Sequence, residues 1–199
     1  METSSPAPSR RTSIGSQRNP DSEEAILSAA EAILREAGLA AFSIEAVARR
    51  AKAGKPTIYR WWPSKAALLL DVYHRQKHHG HMPDTGDVRS DLALFVISLL
   101  AFWRDDGGAI FRSVIAEAQS DPAALEALRR YLLDRWRQSG AIIQRAQKRG
   151  EVRPEIDPDL TIEILSGFAW SRLLTGRLDC SEDEIRAVID AVVGGIAAR

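Results

Sequence analysis

Sulfur chemistry is almost absent from this 199-residue chain, which holds one cysteine, Cys180, and two methionines. A lone cysteine excludes an internal disulfide framework and fits a reducing compartment. No basic residue flanks Cys180 closely enough to stabilise a thiolate, so a quiet thiol is expected. Long apolar runs are missing too. The longest, Leu92 to Trp103, is broken by Ser98 and is too short to span a bilayer. The first twenty residues, rich in Ser, Pro and Arg, lack the apolar stretch of a signal peptide. Glycine-rich nucleotide loops, an H-E-x-x-H pair and nucleophile motifs are absent, and the acidic pair Asp105/Asp106 reads as loop solvation. These absences predict a cytoplasmic protein without membrane association, cofactor or catalytic site.

Net charge is also lacking, with 27 Lys and Arg balanced by 27 Asp and Glu, yet the charge is not spread evenly. Between residues 46 and 65 there is no acid, while Arg49, Arg50, Lys52, Lys55, Arg60 and Lys65 supply positive charge. A basic patch near one end of an otherwise acidic chain points to a polyanion partner held there. Residues 1–20 have little apolar content and are expected to form a basic arm carrying Arg10, Arg11 and Arg18. Such an arm is either a solvated tail or a minor-groove contact.

From residue 21 onward apolar residues recur at spacings of three and four, the signature of helices. Asp21 or Ser22 is expected to cap a helix with an Ile26, Ala29, Ala30, Ile33, Leu34 stripe that closes at Gly38. Ser43 caps a short helix with Ile44, Val47 and Ala48 inward, and Ser64 caps another that runs through Leu68, Leu69, Val72 and Tyr73. Further helices are expected from about Val88 to Arg104, after a break at Gly107-Gly108 to Ser120, and from Asp121-Pro122 to Gly150. Asp157-Pro158 opens a helix to Thr175, and the Ser181/Glu184 capping box opens the last one. The fold class predicted is all-α, about nine helices and no strand.

The segment GKPTIYRWWPSK, Gly54 to Lys65, concentrates aromatic and basic side chains. It could be a nucleic-acid contact, an aromatic ligand cage or a charged core helix. Two short helices joined by a three- or four-residue turn describe a helix-turn-helix. Within the second, Ile58 and Trp62 are four apart and expected to face the core, which leaves Lys55, Tyr59 and Arg60 outside. Pro56 costs nothing in a first helical turn. Lys55 suits guanine O6/N7, Thr57 a base edge and Pro56 a thymine methyl. Tyr59, Trp61 and Lys65 would lie where phosphates pass, and the amides behind Ser43 offer another anion site. With Trp62 committed to packing and excess positive charge nearby, a cage for cations is disfavoured.

The run AVARRAKAGKPTIYRWWPSKAAL, Ala46 to Leu68, resembles the DNA-binding signature of the tetracycline-repressor (TetR) family, which ends in T-[IL]-Y-x-x-[FW]-x-x-K. Thr57, Ile58, Tyr59, Trp62 and Lys65 fill those positions. The resemblance implies base contacts by Lys55, Pro56 and Thr57 and phosphate contacts by Ser43, Tyr59, Trp61 and Lys65. It also implies a ligand-responsive regulator, a repressor in most of the family, acting as a homodimer on a double-stranded, pseudo-palindromic DNA operator. The expected organisation is a basic arm (1–20), a helix-turn-helix domain (21–67) and a helical ligand-sensing and dimerising domain (68–199). One departure stands out: Lys52 occupies a turn position where the family commonly has glycine, and Gly54 one where a serine cap is usual, so a reshaped turn is expected.

For a largely apolar small-molecule effector the pocket candidates are Phe95, Leu99, Phe102, Trp103, Phe111, Trp136 and Trp170, with Arg104, Arg112 or Arg135 as polar anchor. The last two helices include Gly167, Ala169, Gly194 and Gly195, small enough for close packing. They are expected to pair with a second copy as a four-helix bundle, through Leu165, Phe168, Ile185, Val188, Ile189, Val192 and Ile196. His74, His78, His79 and His81 cluster at one helix end, where partly protonated imidazoles suit the dipole; no metal site is expected. The competing readings are an enzyme without a visible motif and a helical adaptor or carrier.

Overall fold

The computed structural model describes residues 20–76 and 82–196. The basic arm with Arg10, Arg11 and Arg18, and His78, His79 and His81, lie outside the described residues. Ten α-helices follow one another: α1 (Pro20–Ala37), α2 (Ile44–Ala51), α3 (Lys55–Trp61), α4 (Lys65–Gln76), α5 (Val88–Arg104), α6 (Asp106–Ala118), α7 (Pro122–Ser139), α8 (Ala141–Arg149), α9 (Pro158–Leu174) and α10 (Glu182–Ile196). A 3₁₀ turn at Leu39–Ala41 links the first two. No β-strand occurs among the described residues, in keeping with the all-α reading.

Local capping chemistry sets many of the boundaries. Ser43 Oγ accepts from Ala46 N at 3.1 Å, Asp157 Oδ1 accepts from Asp159 N and Leu160 N, and Ser181 and Glu184 satisfy each other's backbone amides at 3.2 and 3.0 Å. Each side chain supplies an acceptor to amides that have no intrahelical partner. Three boundaries depart from the sequence reading. Helix α1 already contains Pro20, so neither Asp21 nor Ser22 is its cap. Gly107 and Gly108 do not break a helix; the break is at Asp105, and both glycines lie buried in the first turn of α6. The expected helix from Pro122 to Gly150 is divided at Gly140, where a side chain's Cβ would lie 2.7 Å from Asp159 Oδ1 and 3.3 Å from Pro158 Cβ. The start of α9 lies close to the chain there, and a larger residue would have to displace the Asp159 carboxylate.

Helices α1, α2 and α3 form a small head, and α5 to α10 a larger body. Between them runs α4, packed on α1 on one side and on α6 and α7 on the other. Its Ala66, Leu68, Leu69, Leu70, Val72 and Tyr73 are all buried, so α4 is core to both parts. The expected boundary at residue 67/68 therefore falls inside a continuous helix. The first turn of α4 is held from two directions: Ser64 Oγ accepts from Ala67 N at 3.0 Å, and Glu117 Oε1, from α6, accepts from Ala66 N at 3.2 Å.

At the far end of α5 a charged clamp fixes the loop that precedes it. Asp91 is fully buried, and its Oδ1 accepts from Thr85 N and Thr85 Oγ1 at 2.6 and 2.8 Å. From the end of α8, Arg149 pairs with Glu151, Glu151 Oε2 accepts from Val88 N at 2.7 Å, and Arg145 donates to Pro83 O. Nothing in the sequence pattern marks this cluster, because its members are far apart in the chain.

Candidate nucleic-acid interface and effector cavity

Helix α2 ends in a Schellman motif. Ala53 N donates to Ala48 O at 3.0 Å and Lys52 N to Arg49 O at 3.4 Å, with Lys52 left-handed at φ 52°, ψ 36°. The turn keeps the left-handed geometry that glycine would adopt, and it is the lysine that bears the strain. Lys52 is the sole non-glycine residue at positive φ among the described residues. Replacing it with glycine relieves about 1 kcal/mol of steric strain, part of which the greater freedom of the unfolded chain offsets. A rise in Tm of about 2 °C is the expected outcome, measurable by thermal denaturation.

Gly54 caps α3 through its backbone, accepting from Thr57 N and Ile58 N, with Pro56 in the first turn. Ile58 and Trp62 are buried, and this fixes the rotation of the helix. Lys55, Pro56, Tyr59 and Arg60 are exposed, and Thr57, Trp61 and Lys65 half-buried, around its outer side. Trp62 Nε1 donates to Asp71 Oδ2 of α4 at 2.6 Å, Trp61 stands edge-on to Trp62 with centroids 5.8 Å apart, and the Arg60 guanidinium lies 5.6 Å from the Trp61 ring. Behind this face Ser43 carries the cap of α2, so its hydroxyl and the amides of that turn sit together at one helix start.

Two of the basic residues hold acids. Lys55 Nζ lies 2.6 Å from Glu45 Oε1, and Arg50 forms a two-pronged pair with Glu36 at 2.6 and 2.7 Å. The hydrogen bond from Lys55 keeps the Glu45 carboxyl below its ordinary range, and the same partner raises the Lys55 ammonium. In sequence terms Glu45 is an acid in the first turn of α2. Its reach across to α3 depends on how the two helices cross.

The body contains an aromatic chamber between α4, α5, α6, α7 and α9. Phe95, Leu99, Trp103, Phe111, Trp136 and Trp170 line it together with Tyr73, Tyr131 and Arg135. Trp103 stacks on Phe111 at 5.5 Å, Phe111 on Tyr73 at 5.1 Å, and Trp170 stands edge-on to Phe111 at 5.6 Å. Trp103 Nε1 donates to Tyr73 Oη at 2.8 Å. Burial raises the Tyr73 hydroxyl far above its usual range and pushes Tyr131 up to about 12, against the opposing charge of Arg135, so both remain protonated at any ordinary pH. The free space is only about 30 Å³, roughly the share of one water.

Three expected contributors lie elsewhere. Phe102 is not in the chamber wall but packs behind Tyr73, centroids 5.1 Å apart. Arg104 is exposed and reaches Leu178 O and Asp179 in the loop before α10. Arg112 is exposed on α6. Sequence reasoning missed Tyr73 and Tyr131 as chamber walls, since an amphipathic pattern marks a tyrosine as core without saying what its hydroxyl faces.

The expected dimer stripe divides into two. Leu165, Ile185 and Ile189 are buried within the protomer and cannot form an outer interface; they face inward because α10 packs on α5 and α9 on α5 and α7. Phe168, Val188, Val192 and Ile196 are half-buried. Beside them on α9, Leu160, Ile164 and Leu174 stand more than half exposed, at 55%, 56% and 53%, an apolar row that the sequence reading did not single out. Cys180 is buried, and burial raises its thiol. No helix among the described residues is long and apolar enough to cross a membrane.

Residues 26–72 match the family model "Bacterial regulatory proteins, tetR family", and residues 82–192 match "Tetracyclin repressor-like, C-terminal domain". An uncharacterised HTH-type transcriptional regulator of Bacillus subtilis, YdeS, is 29% identical over 92% of this chain and 94% of its own length. The DNA-binding transcriptional repressor TetR of Mycobacteroides abscessus is 31% identical over 76% of this chain and 82% of its own. The crystal structure of the TetR family transcription regulator SCO0332 superposes with a TM-score of 0.76 at 30% identity, covering 89% of this chain and all of that one. The chain is a helix-turn-helix transcriptional regulator and belongs to the TetR family.

Proposed function

We propose that this regulator is a ligand-released repressor that binds a pseudo-palindromic operator as a homodimer. The observation that carries the reading is the rotation of α3: burial of Ile58 and Trp62 turns Lys55, Pro56 and Tyr59 outward. Lys55, Pro56 and Thr57, in the first turn of α3, contact base edges. Ser43, Tyr59, Trp61 and Lys65 contact phosphates and fix register without reading sequence. To reach a guanine, Lys55 exchanges its Glu45 partner for the base. Residues 21–67 serve as the reading head and 68–199 as the sensing and dimerising body, with α4 shared between them.

Dimerisation through the outer faces of α9 and α10 is supported by the exposed row Leu160, Ile164 and Leu174 and by the half-buried Phe168, Val188, Val192 and Ile196. Pairing sets two copies of α3 at successive major grooves, ~34–36 Å apart. An effector in the aromatic chamber favours the conformer in which that spacing is wrong, and DNA affinity falls by the ratio of its affinities for the two conformers. Such a protein acts where the DNA is, in the cytoplasm.

Selection of bound sequences from a random duplex pool tests the proposal. A two-fold-symmetric motif is the expected result, and a folded protein that enriches nothing would overturn it. With the operator in hand, Lys55→Ala is expected to cost about 1–3 kcal/mol at one base position and relax the preference there. Lys65→Ala weakens every sequence alike and reduces the salt slope by about 1. Binding measured over a salt series with operator and scrambled duplexes separates these outcomes, and equal, negligible effects would remove the assigned roles.

A further inference from the structure

We infer that the effector is a flat aromatic anion of the aryl-carboxylate kind, seated with its ring in the tryptophan-walled chamber and its charged group on Arg135. This rests on the chamber being the effector site, as proposed above. Three observations carry it.

The first is the wall. Trp103 and Trp170 pack on Phe111, Trp136 lines the chamber with them, and no aspartate or glutamate is in its wall. Aromatic faces alone would also welcome a cation. Here a cation would meet a guanidinium with no carboxylate in the wall to offset it, whereas a planar anion finds both ring faces and a counter-charge.

The second is the pairing on α7. Arg129 and Arg130 pair with Glu126 at 3.7 and 3.1 Å, and Arg137 pairs with Asp134 at 3.3 Å. Arg135 alone among the arginines of this helix has no carboxylate in ion-pair reach among the described residues, and its Nη1 donates to the neutral Gln138 Oε1 at 2.9 Å. A guanidinium fork engaged only by an amide keeps donors for a planar carboxylate, whose two oxygens match it.

The third is position. Arg135 and Tyr131 border the chamber and also an open cleft of about 580 Å³ between α4 and α7. The acids on that cleft are engaged already: Glu126 and Asp134 with the arginines just named, and Asp71 as acceptor for Trp62 Nε1. Arg135 thus stands in the partition through which a molecule would pass from cleft to chamber. With about 30 Å³ of free space inside, the ring must part Tyr131 from Tyr73, and Tyr73 belongs to α4, which bears the reading head.

Calorimetric titration of the full chain with three naphthalene probes tests the inference: 2-naphthoate, 2-naphthalenemethanol and (2-naphthylmethyl)trimethylammonium. The naphthoate is expected to bind at least about tenfold tighter than the alcohol or the ammonium, the scale of a hydrogen bond to a charged group. In Arg135→Gln the naphthoate falls to the level of the alcohol, whose Kd stays within about twofold, and Arg135→Lys, which keeps charge without the fork, lies between. Tightest binding by the ammonium, no binding by any probe, or a naphthoate advantage that survives in Arg135→Gln would each overturn it. The operator selection is read separately. A chain that selects an operator but shows no anion preference loses this inference alone, and one that binds the naphthoate but selects no operator loses the pseudo-palindromic operator proposal alone.

Discussion

Trp62→Ala is expected to lower stability by about 3–5 kcal/mol, the usual cost of removing a fully packed tryptophan, and Tm by about 10 °C. The indole is 2% exposed and is the first residue beyond α3, while its hydrogen-bond partner Asp71 lies in the second turn of α4. It joins the reading helix to the helix that enters the body. Once it is gone, Ile58 remains as the one fully buried anchor of α3, and the angle of α3 in a DNA groove is no longer set. A drop of at least about tenfold in operator affinity should follow, since misplacing the first turn forfeits more than one base contact. Trp62→Phe separates packing from polarity: it keeps most of the apolar volume but leaves Asp71 without this donor, at a cost of about 1–2 kcal/mol. Thermal melts alongside operator titrations read both effects; an alanine variant with unchanged melting and binding would show that Trp62 does not set α3.

A second large effect is expected at Gly108. An added Cβ would lie 2.1 Å from the carbonyl oxygen of Trp103, and both atoms are backbone-bound, so no rotamer change can relieve the overlap. Gly108→Ala must push the end of α5 away from the start of α6, at a cost of about 3 kcal/mol. The displacement also moves Trp103 against Phe111 and Tyr73, so the chamber loses its stacking. At Gly107 the nearest atoms are ring carbons of the half-buried Phe102, 2.7 Å away, with the Phe102 carbonyl at 3.0 Å. That ring can swing outward, and Gly107→Ala should cost less. Denaturant unfolding of the two variants, with tryptophan emission as a probe of the chamber, gives the ordering. An equal or reversed ordering would count against a backbone clash at Gly108.

What the sequence made legible was chiefly local. Ser43, Asp157 and the Ser181/Glu184 pair act within three residues of themselves, and each caps the helix it was expected to cap. The rotation of α3 was legible for the same reason, because Ile58 and Trp62 lie one turn apart. Distant partners were not. The division at Gly140 depends on Pro158 and Asp159 arriving from another helix, and the glycines at 107 and 108 look like a break because a Trp103 carbonyl pressed against them leaves no trace in the chain. On α10 the apolar stripe from Ile185 to Ile196 is wide enough for two surfaces. Periodicity alone could not tell that Ile185, Ile189 and Val193 belong to the protomer's own core while Val188, Val192 and Ile196 lie beside it. The chamber shows the same limit: its tryptophans were picked out by size and helix position and Arg135 only as one of three possible anchors, whereas Tyr131, and the partition that sets Arg135 apart from Arg104 and Arg112, come from the packing of α4 against α7.

The carboxylate of Glu117 that receives the Ala66 amide has a bearing on how such proteins can be recombined. A head grafted onto a foreign body carries Ser64 with it, but the acceptor for the neighbouring amide stays behind on α6. A hybrid that transplants the acceptor along with the reading helix keeps this amide satisfied, and one that leaves it behind gives up a hydrogen bond worth about 1 kcal/mol at the start of α4.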